Sequence, residues 1–443
     1  MNYSDCEAWK SVLERGYSYR FRDGSEVRAT REGVSDSYRS RDSKDYPAFY
    51  AGSAGDSLWD LFGVIAEQNV QRNIVETDTG RYLGAGSDFG PKVFTRDIAF
   101  SGLLGLNALH PELMEASLQY TREVRRRAGF KVPRRFKGLG NDVPWEGIDL
   151  SDDEFVMQYG TNSYLNRTDD VCWIAALADL YRRHGVRADW AFLEAEGTFF
   201  FEHFYAHFFD VSDGLYRGQA TFVDIGYPNP LGTGYADSLA LAERVRIKAL
   251  STNCLYVWAM AGLAEAAERN GHHVGARKWL TKKDALVAAI RETFTRNDGT
   301  LSYYKSIDGR LELRRDALGS SLAVLTGVVR GVEARRALDG YPTGEFGVPL
   351  FDPFFPDPRW YHNHSSWPFV DAFFLRALSL AEGCDTRPLA AMWLGLACDP
   401  TMGFREVRDH RSGEIKGSGA QLWTAAAYLG LGQPWMQDGF EKP

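Results

Sequence analysis

The sequence predicts an all-α protein whose helices pair antiparallel into an α/α toroid with long loops. Three observations predict it. Apolar residues recur at helical spacing from about residue 57 onward, giving ten to twelve helical runs and few convincing strand patterns. Short connections punctuated by Gly or Asn join the runs into pairs. The aromatics and carboxylates concentrate in the long loops between pairs, the arrangement of a helical scaffold that carries its chemistry on one side. No fixed-period repeat is visible, which argues against a consensus solenoid.

The elements follow in order. Residues 1–55 are polar and rich in Ser, Arg and Asp. Short strands are expected around 17–31, and 35–45 reads as loop. The run 96–109 stops before Pro111, and 111–127 starts with that proline in its first turn. The run 168–181 is strongly amphipathic, capped by Thr168 or Asp169 and ended by Gly185. Residues 189–209 form its hairpin mate. The run 251–269, ended by Asn270 and Gly271, pairs with 274–294. Two shorter helices are expected at 318–329 and 331–338. The run 365–381 pairs with 388–398, and 419–431 is the last helix.

Composition narrows the function classes. The chain of 443 residues is 44% hydrophobic and 25% charged, enough to bury a large core and unlike a disordered sequence. Net charge is −8 and no basic stripe appears, so no nucleic-acid partner is expected; the arginines at 125–127 and 134–135 are too short a run. A neutral substrate fits this balance better than a polyanion. The five cysteines are odd in number and lack CxxC spacing, and Cys172 and Cys254 lie in apolar runs. They read as buried thiols of a reducing compartment. No apolar run reaches membrane-spanning length, and residues 1–7 lack a signal-peptide pattern. A cytoplasmic protein without a membrane partner is expected.

One stretch concentrates recognition chemistry: Tyr361-His-Asn-His-Ser-Ser-Trp-Pro-Phe-Val-Asp371, leading into a helical run. Flat rings suit the apolar face of a sugar ring, and polar groups suit its hydroxyls. Trp367 is either a stacking platform or a packing residue under the helix that Pro368 opens. His362 and His364 are separated by one residue and have no evident third ligand, so no metal is expected, and no cofactor. Hydroxyl binding is the better role for His362.

Cleavage of a glycosidic bond needs two carboxyl groups flanking it, one to protonate the leaving oxygen and one on the opposite face. In Gly218-Gln-Ala-Thr-Phe-Val-Asp-Ile-Gly-Tyr-Pro-Asn-Pro230, Asp224 follows an apolar pair and precedes a loop containing Tyr227. It is either an acid with a raised pKa or a turn-forming Asp. Asp237 is the alternative. Glu406, in Gly403-Phe-Arg-Glu-Val-Arg-Asp409, alternates with apolar neighbours as on a short strand. It is either a buried base or a solvated partner of Arg405 or Arg408, with Glu414 the alternative. Arg96 and Asp97 open a helix, and Asp97 is either its cap or, with the Arg96 fork, a hydroxyl ligand. Asp169 carries the same two readings. Trp59 in Asp56-Ser-Leu-Trp-Asp60 is a further aromatic candidate.

In order, these segments are Thr-Arg-Asp97, Thr-Asp169, Phe-Val-Asp224, Ser-Thr-Asn253, Tyr-His-Asn363 with Trp-Pro368, and Gln421-Leu-Trp423. That series, over about 82–431, resembles the six-hairpin glycosidases, which have an (α/α)6 barrel. The resemblance implies a short irregular or β extension at 1–55 packed on the barrel, and an (α/α)6 catalytic domain at 56–443. It implies an exo-acting, anomer-inverting glycoside hydrolase on a neutral oligosaccharide or glycoside, with Asp224 as acid and Glu406 as base. It places Arg96, Asp97, Asp169, Tyr227, Tyr361, His362, Trp367, Gln421 and Trp59 around the sugar. The same barrel also hosts epimerases and lyases, for which His362, His364 or Tyr361 would be the base. Phosphorolysis and a non-catalytic glycan-binding role are the other readings, and oligomeric state is open.

Overall fold

Among the described residues, twelve helices alternate between an inner ring and an outer ring. The computed structural model describes residues 17–20, 26–30, 33–36, 58–78, 80–89, 94–127, 168–185, 188–203, 205–223, 246–356, 361–399 and 402–433. The helices are α1 (Leu58–Arg72), α2 (Thr95–Ser101, continued through a π turn to Leu109), α3 (Pro111–Arg127), α4 (Asp169–Arg183), α5 (Trp190–His203) and α6 (Leu250–Arg269). They continue as α7 (His273–Phe294), α8 (Ala317–Leu325), α9 (Val332–Leu338), α10 (Pro368–Glu382), α11 (Arg387–Gly395) and α12 (Leu422–Leu429).

The even-numbered helices pack each against the next, and α12 returns to α2, closing a ring of six. Each odd-numbered helix leans on the outside of its neighbours. The sequence dictates this split. Sixteen of the 20 residues of α6 are buried, so it is apolar all round and must lie inside. On α7 only Ala276, Trp279, Lys283, Leu286, Ile290 and Phe294 are buried, a single stripe that turns one face inward. Ring closure demands close backbone approach: a Cβ on Gly430 would collide with the Leu104 carbonyl oxygen. Arg376 of α10 donates to the carbonyls of Leu103 (2.7 Å) and Leu104 (2.5 Å), acceptors within the π turn.

Connections from inner to outer helices are short: His110 alone, then 184–189, 270–272, 326–331 and 383–386. Connections from outer to inner helices each span at least 22 residues, from 295–316 up to 204–249. Each long connection therefore enters an inner helix at its N-terminal end. The connections form small hairpins such as Ile74–Thr77 with Gly80–Leu83, and a three-stranded piece joining Ser365–Ser366, Val407–Asp409 and Ile415–Lys416.

Most expected helices are present, and the differences have local causes. The helix expected at 189–209 stops at His203, because Phe209 pairs with Tyr216 across a turn that Gly214 makes at φ 71°. The helix expected at 318–329 stops at Leu325, before Gly327 at φ 72°. The helix expected from 365 begins at Pro368, because Ser365 and Ser366 pair with Asp409 and Arg408. The N-terminal segment holds a three-stranded antiparallel meander, Tyr17–Arg20, Glu26–Thr30 and Gly33–Asp36, so Ser35 and Asp36 lie on a strand where loop is expected. Among the described residues no helix is long and apolar enough to cross a membrane, and no three side chains are grouped to hold a metal ion. Cys172 on α4 and Cys254 on α6 are buried thiols.

Candidate active site

The N-terminal ends of the inner helices gather buried acids. Asp97, Asp169 and Asp371 lie in first turns and Asp316 caps α8, where the helix dipole favours negative charge. Asp169 Oδ1 accepts the backbone N–H of Arg96 (3.2 Å), so the first residue of α4 caps the first turn of α2. Arg96 Nη2 lies 3.5 Å from Asp97 Oδ2. All three side chains are buried. Thr168 Oγ1 meets Thr221 Oγ1 at 3.1 Å, and the Thr221 N–H donates to Ser251 Oγ (3.2 Å). The start of α4, the segment 219–223 and the start of α6 are thereby stitched together.

An aromatic cluster forms the adjoining wall. His362 stacks flat on Trp367, with ring centroids 5.3 Å apart and planes 5° from parallel. Phe222 meets His362, Trp367 and Phe369 edge-on at 5.7, 5.0 and 5.0 Å. Trp423 stacks on Phe369 at 4.1 Å. Trp367 Nε1 donates to Ser365 Oγ (3.1 Å), and the ring is buried, so Trp367 packs under the start of α10. Tyr361 lies half-buried against His362 and Trp367, while His362 has no exposed surface. Phe222 holds φ 58°, an uncommon backbone state for an aromatic residue that the packing around its ring must sustain.

Glu406 directly precedes the strand Val407–Asp409, which pairs with Ser365–Ser366 just before Trp367. Its N–H donates to the Ser418 carbonyl (3.0 Å), and its Oε2 accepts the Ser418 N–H (3.1 Å). The carboxylate lies so close to Gly417 that a Cβ there would collide with Oε2; Gly417 also holds φ 76°. Glu406 is 6% exposed. Of its two expected partners, Arg405 donates to the Gly417 carbonyl (2.6 Å) and Arg408 pairs with Asp371 (2.7 Å). Ser418 and Gly419 are in turn held by Asp88 N–H (3.2 Å) and by Ser87 N–H and Oγ (both 2.9 Å). Gln421 is buried at the start of α12. In the orientation that satisfies both ends, its amide nitrogen donates to Ala85 O (3.3 Å) and its oxygen accepts Trp423 Nε1 (3.2 Å). Glu414, by contrast, is 65% exposed and pairs with Lys416 (2.9 Å).

The structure brings Arg96, Asp97, Asp169, Tyr361, His362, Trp367, Glu406 and Gln421 to one end of the ring. Asp224, Tyr227 and Asp237 lie outside the described residues, as does the side chain of Trp59 on α1. The described chain reaches Val223, buried beside the aromatic wall, and resumes at Arg246.

Among the buried acids, Asp316 and Asp371 carry no functional signal in the sequence. Burial pushes the Asp316 carboxyl up to about 7, against the pull of Leu318 and Gly319 N–H groups and Ser251. Asp before an apolar helical run is a cap signature, and Asp316 Oδ1 accepts Leu318 N–H (3.0 Å). Asp371 closes the Tyr361 stretch, and its partner, 37 residues on, has no local signal.

No family model matches the sequence, and no curated protein does. Solved structures do match the fold. The chain is similar to a GH63 mannosylglycerate hydrolase from Thermus thermophilus, solved with Tris and D-glycerate, at 15% identity and a TM-score of 0.57, over 83% of this chain and 99% of that one. A solved glycosidase matches at 15% identity and a TM-score of 0.58, over 84% of this chain and 96% of that one. A sialidase matches 85% of this chain with 34% of its own length, at 12% identity and a TM-score of 0.56. The fold shared with these structures is an (α/α)6 barrel. In it, a buried carboxylate, an Arg–Asp pair and an aromatic wall share the end of the ring where the inner helices begin.

Proposed function

We propose that the protein is an exo-acting, anomer-inverting glycoside hydrolase, with Glu406 as general base and Asp224 as general acid. The observation that carries this reading is the setting of Glu406: a nearly buried carboxylate oriented by a backbone N–H, at the same barrel end as Arg96, Asp97, Asp169 and the His362–Trp367 wall. A base that activates water must hold one direction, and a peptide donor on a glycine-shaped turn supplies it. Asp224 follows Val223 directly, and Phe222 packs on His362 and Trp367, which supports an acid leaving from that wall. The Arg96 fork and the Asp97 and Asp169 carboxylates suit sugar hydroxyls. His362 is buried and stacked on Trp367, which favours hydrolysis over proton abstraction by that ring.

Hydrolysis with inversion requires the two carboxyl groups to lie roughly 6.5–9.5 Å apart, leaving room for water. Aryl glycosides, neutral oligosaccharides and mannosylglycerate, the substrate named for a hydrolase of the same fold, form the substrate panel. On the substrate turned over, Glu406→Gln and Asp224→Asn are each expected to lower kcat by about 10²–10⁴-fold with the fold intact by circular dichroism. Near-wild-type turnover by either variant overturns that residue's role.

A further inference from the structure

The strand Val407–Asp409, which Glu406 directly precedes, is anchored by the driest ion pair among the described residues. Asp371 and Arg408 both have 0% exposed side chains, and Arg408 Nη2 lies 2.7 Å from Asp371 Oδ2. Arg408 uses both terminal nitrogens: Nη1 donates to the Trp393 carbonyl (2.6 Å) at the end of α11, and Nη2 also approaches Ser366 Oγ (3.4 Å). Asp371 is equally engaged. It accepts the Val348 N–H (2.9 Å) and the Ser366 hydroxyl (2.8 Å). A Cβ on Gly347 would collide with its carboxylate, so the chain there is shaped around it. Ser366 pairs with Arg408 in the strand register, so the ion pair closes over that rung.

Glu406 lies at a bend, directly before the strand Val407–Asp409 that carries Arg408. The bend is held at both ends, by Glu406 N–H on the Ser418 carbonyl and by the strand it enters, so a shift of Arg408 moves the backbone from which the Glu406 side chain leaves. The bond to Ser418 fixes the distance of the bend from the 417–419 turn, and Arg408 fixes the depth of the strand against α10 and α11. A buried pair of this kind is a poor source of stability, because desolvation offsets most of the attraction. Its planar, multiply bonded geometry instead supplies direction.

We infer that Asp371 and Arg408 are positioning residues that set the direction of the Glu406 carboxylate. This rests on the proposed role of Glu406. The pair joins three elements to one strand: the Val348 loop, the start of α10 and the end of α11. A lost bond at any of them lets the base swing.

Three variants in the full-length protein test this, with kcat taken per folded molecule from tryptophan fluorescence. Asp371→Asn keeps the shape and removes the charge. It is expected to lower kcat by about 10- to 100-fold while KM stays within about threefold, the signature of a misplaced catalytic group rather than lost binding. Asp371→Leu combined with Arg408→Met replaces the pair by apolar side chains, which restores or raises the melting temperature. A positioning role predicts that kcat stays at least about tenfold down in this folded double variant. Recovery of kcat to within about twofold in the double variant, or an unchanged kcat in Asp371→Asn, overturns the inference. Glu406→Gln is measured beside them. If it turns over freely, the role of Glu406 fails. If it is inactive while Asp371→Asn is fully active, only the positioning claim fails.

Discussion

The two walls at this end of the ring, one leading to Glu406 and one to Val223, are pinned by opposite means. The Glu406 wall is held by a strand pair and the Asp371–Arg408 ion pair, with no exposed side-chain surface on either residue. The wall that leads to Val223 is pinned upstream by a wetter network. There Asp210 accepts from Arg217 (2.5 Å) and Lys248 (2.7 Å), and Asp213 accepts from Lys248 (2.6 Å) and Lys305 (2.8 Å), with side chains between 10% and 25% exposed. Both arrangements fix a loop to the start of an inner helix. The first does so in a dry setting, where losing one partner strands a charge. The second shares its charges among several groups that water and salt also reach.

That contrast sets the order of expected effects. Arg408→Met leaves the Asp371 carboxylate buried without its ion partner and is expected to cost about 3–5 kcal/mol in urea unfolding. A loss below about 1 kcal/mol would break the contrast. Phe222→Ala opens a hole in the aromatic cluster that both walls share and should cost roughly 3 kcal/mol, with a matching fall in melting temperature. Lys248→Met leaves Arg217 and Lys305 in place and should cost about 1–2 kcal/mol. Raising salt from about 0.1 to 1 M should shrink the Lys248→Met effect and leave the Arg408→Met effect unchanged.

Acid should also separate the walls. Burial pushes the Asp371 carboxyl up from 3.8 to about 6, against Arg408, the Val348 N–H and Ser366. The folded state therefore binds this proton more tightly than the unfolded chain, and the group's contribution to stability falls as pH rises from about 4 to 6. Burial also raises Asp210 and Asp213, but hydrogen bonds and charge from Lys248, with Ser212 on Asp210 and Lys305 on Asp213, outweigh it and hold both below the ordinary value. Their contribution is present above pH 3.8 and is lost as pH falls below it. Urea unfolding of wild type, Asp371→Asn and Lys248→Met from pH 3 to 7 should show slopes of opposite sign when each variant is subtracted. Slopes of the same sign would remove the distinction.

The helical scaffold was legible because its signals are local. All-round apolar runs such as 250–267 mark the inner ring, and the single stripe of α7 marks the outer one. The site was legible only in part. Glu406 was readable as alternating with apolar neighbours, but its burial comes from a turn at Gly417 and a partner at Ser418, 12 residues away. The two-residue strands are bound to loops far along the chain, as Ser366 is to Arg408, and carry no periodicity of their own. Arg408 looked like a partner for Glu406; its real partner is Asp371, which an element-by-element reading leaves inside a helix.

The most direct test of the proposed reaction is the anomer first released by the wild-type protein from a glycoside that it turns over, followed by proton NMR before mutarotation. Inversion, together with an inactive Glu406→Gln, is the predicted result. A retained anomer, or a covalent glycosyl adduct on any carboxylate, would contradict it.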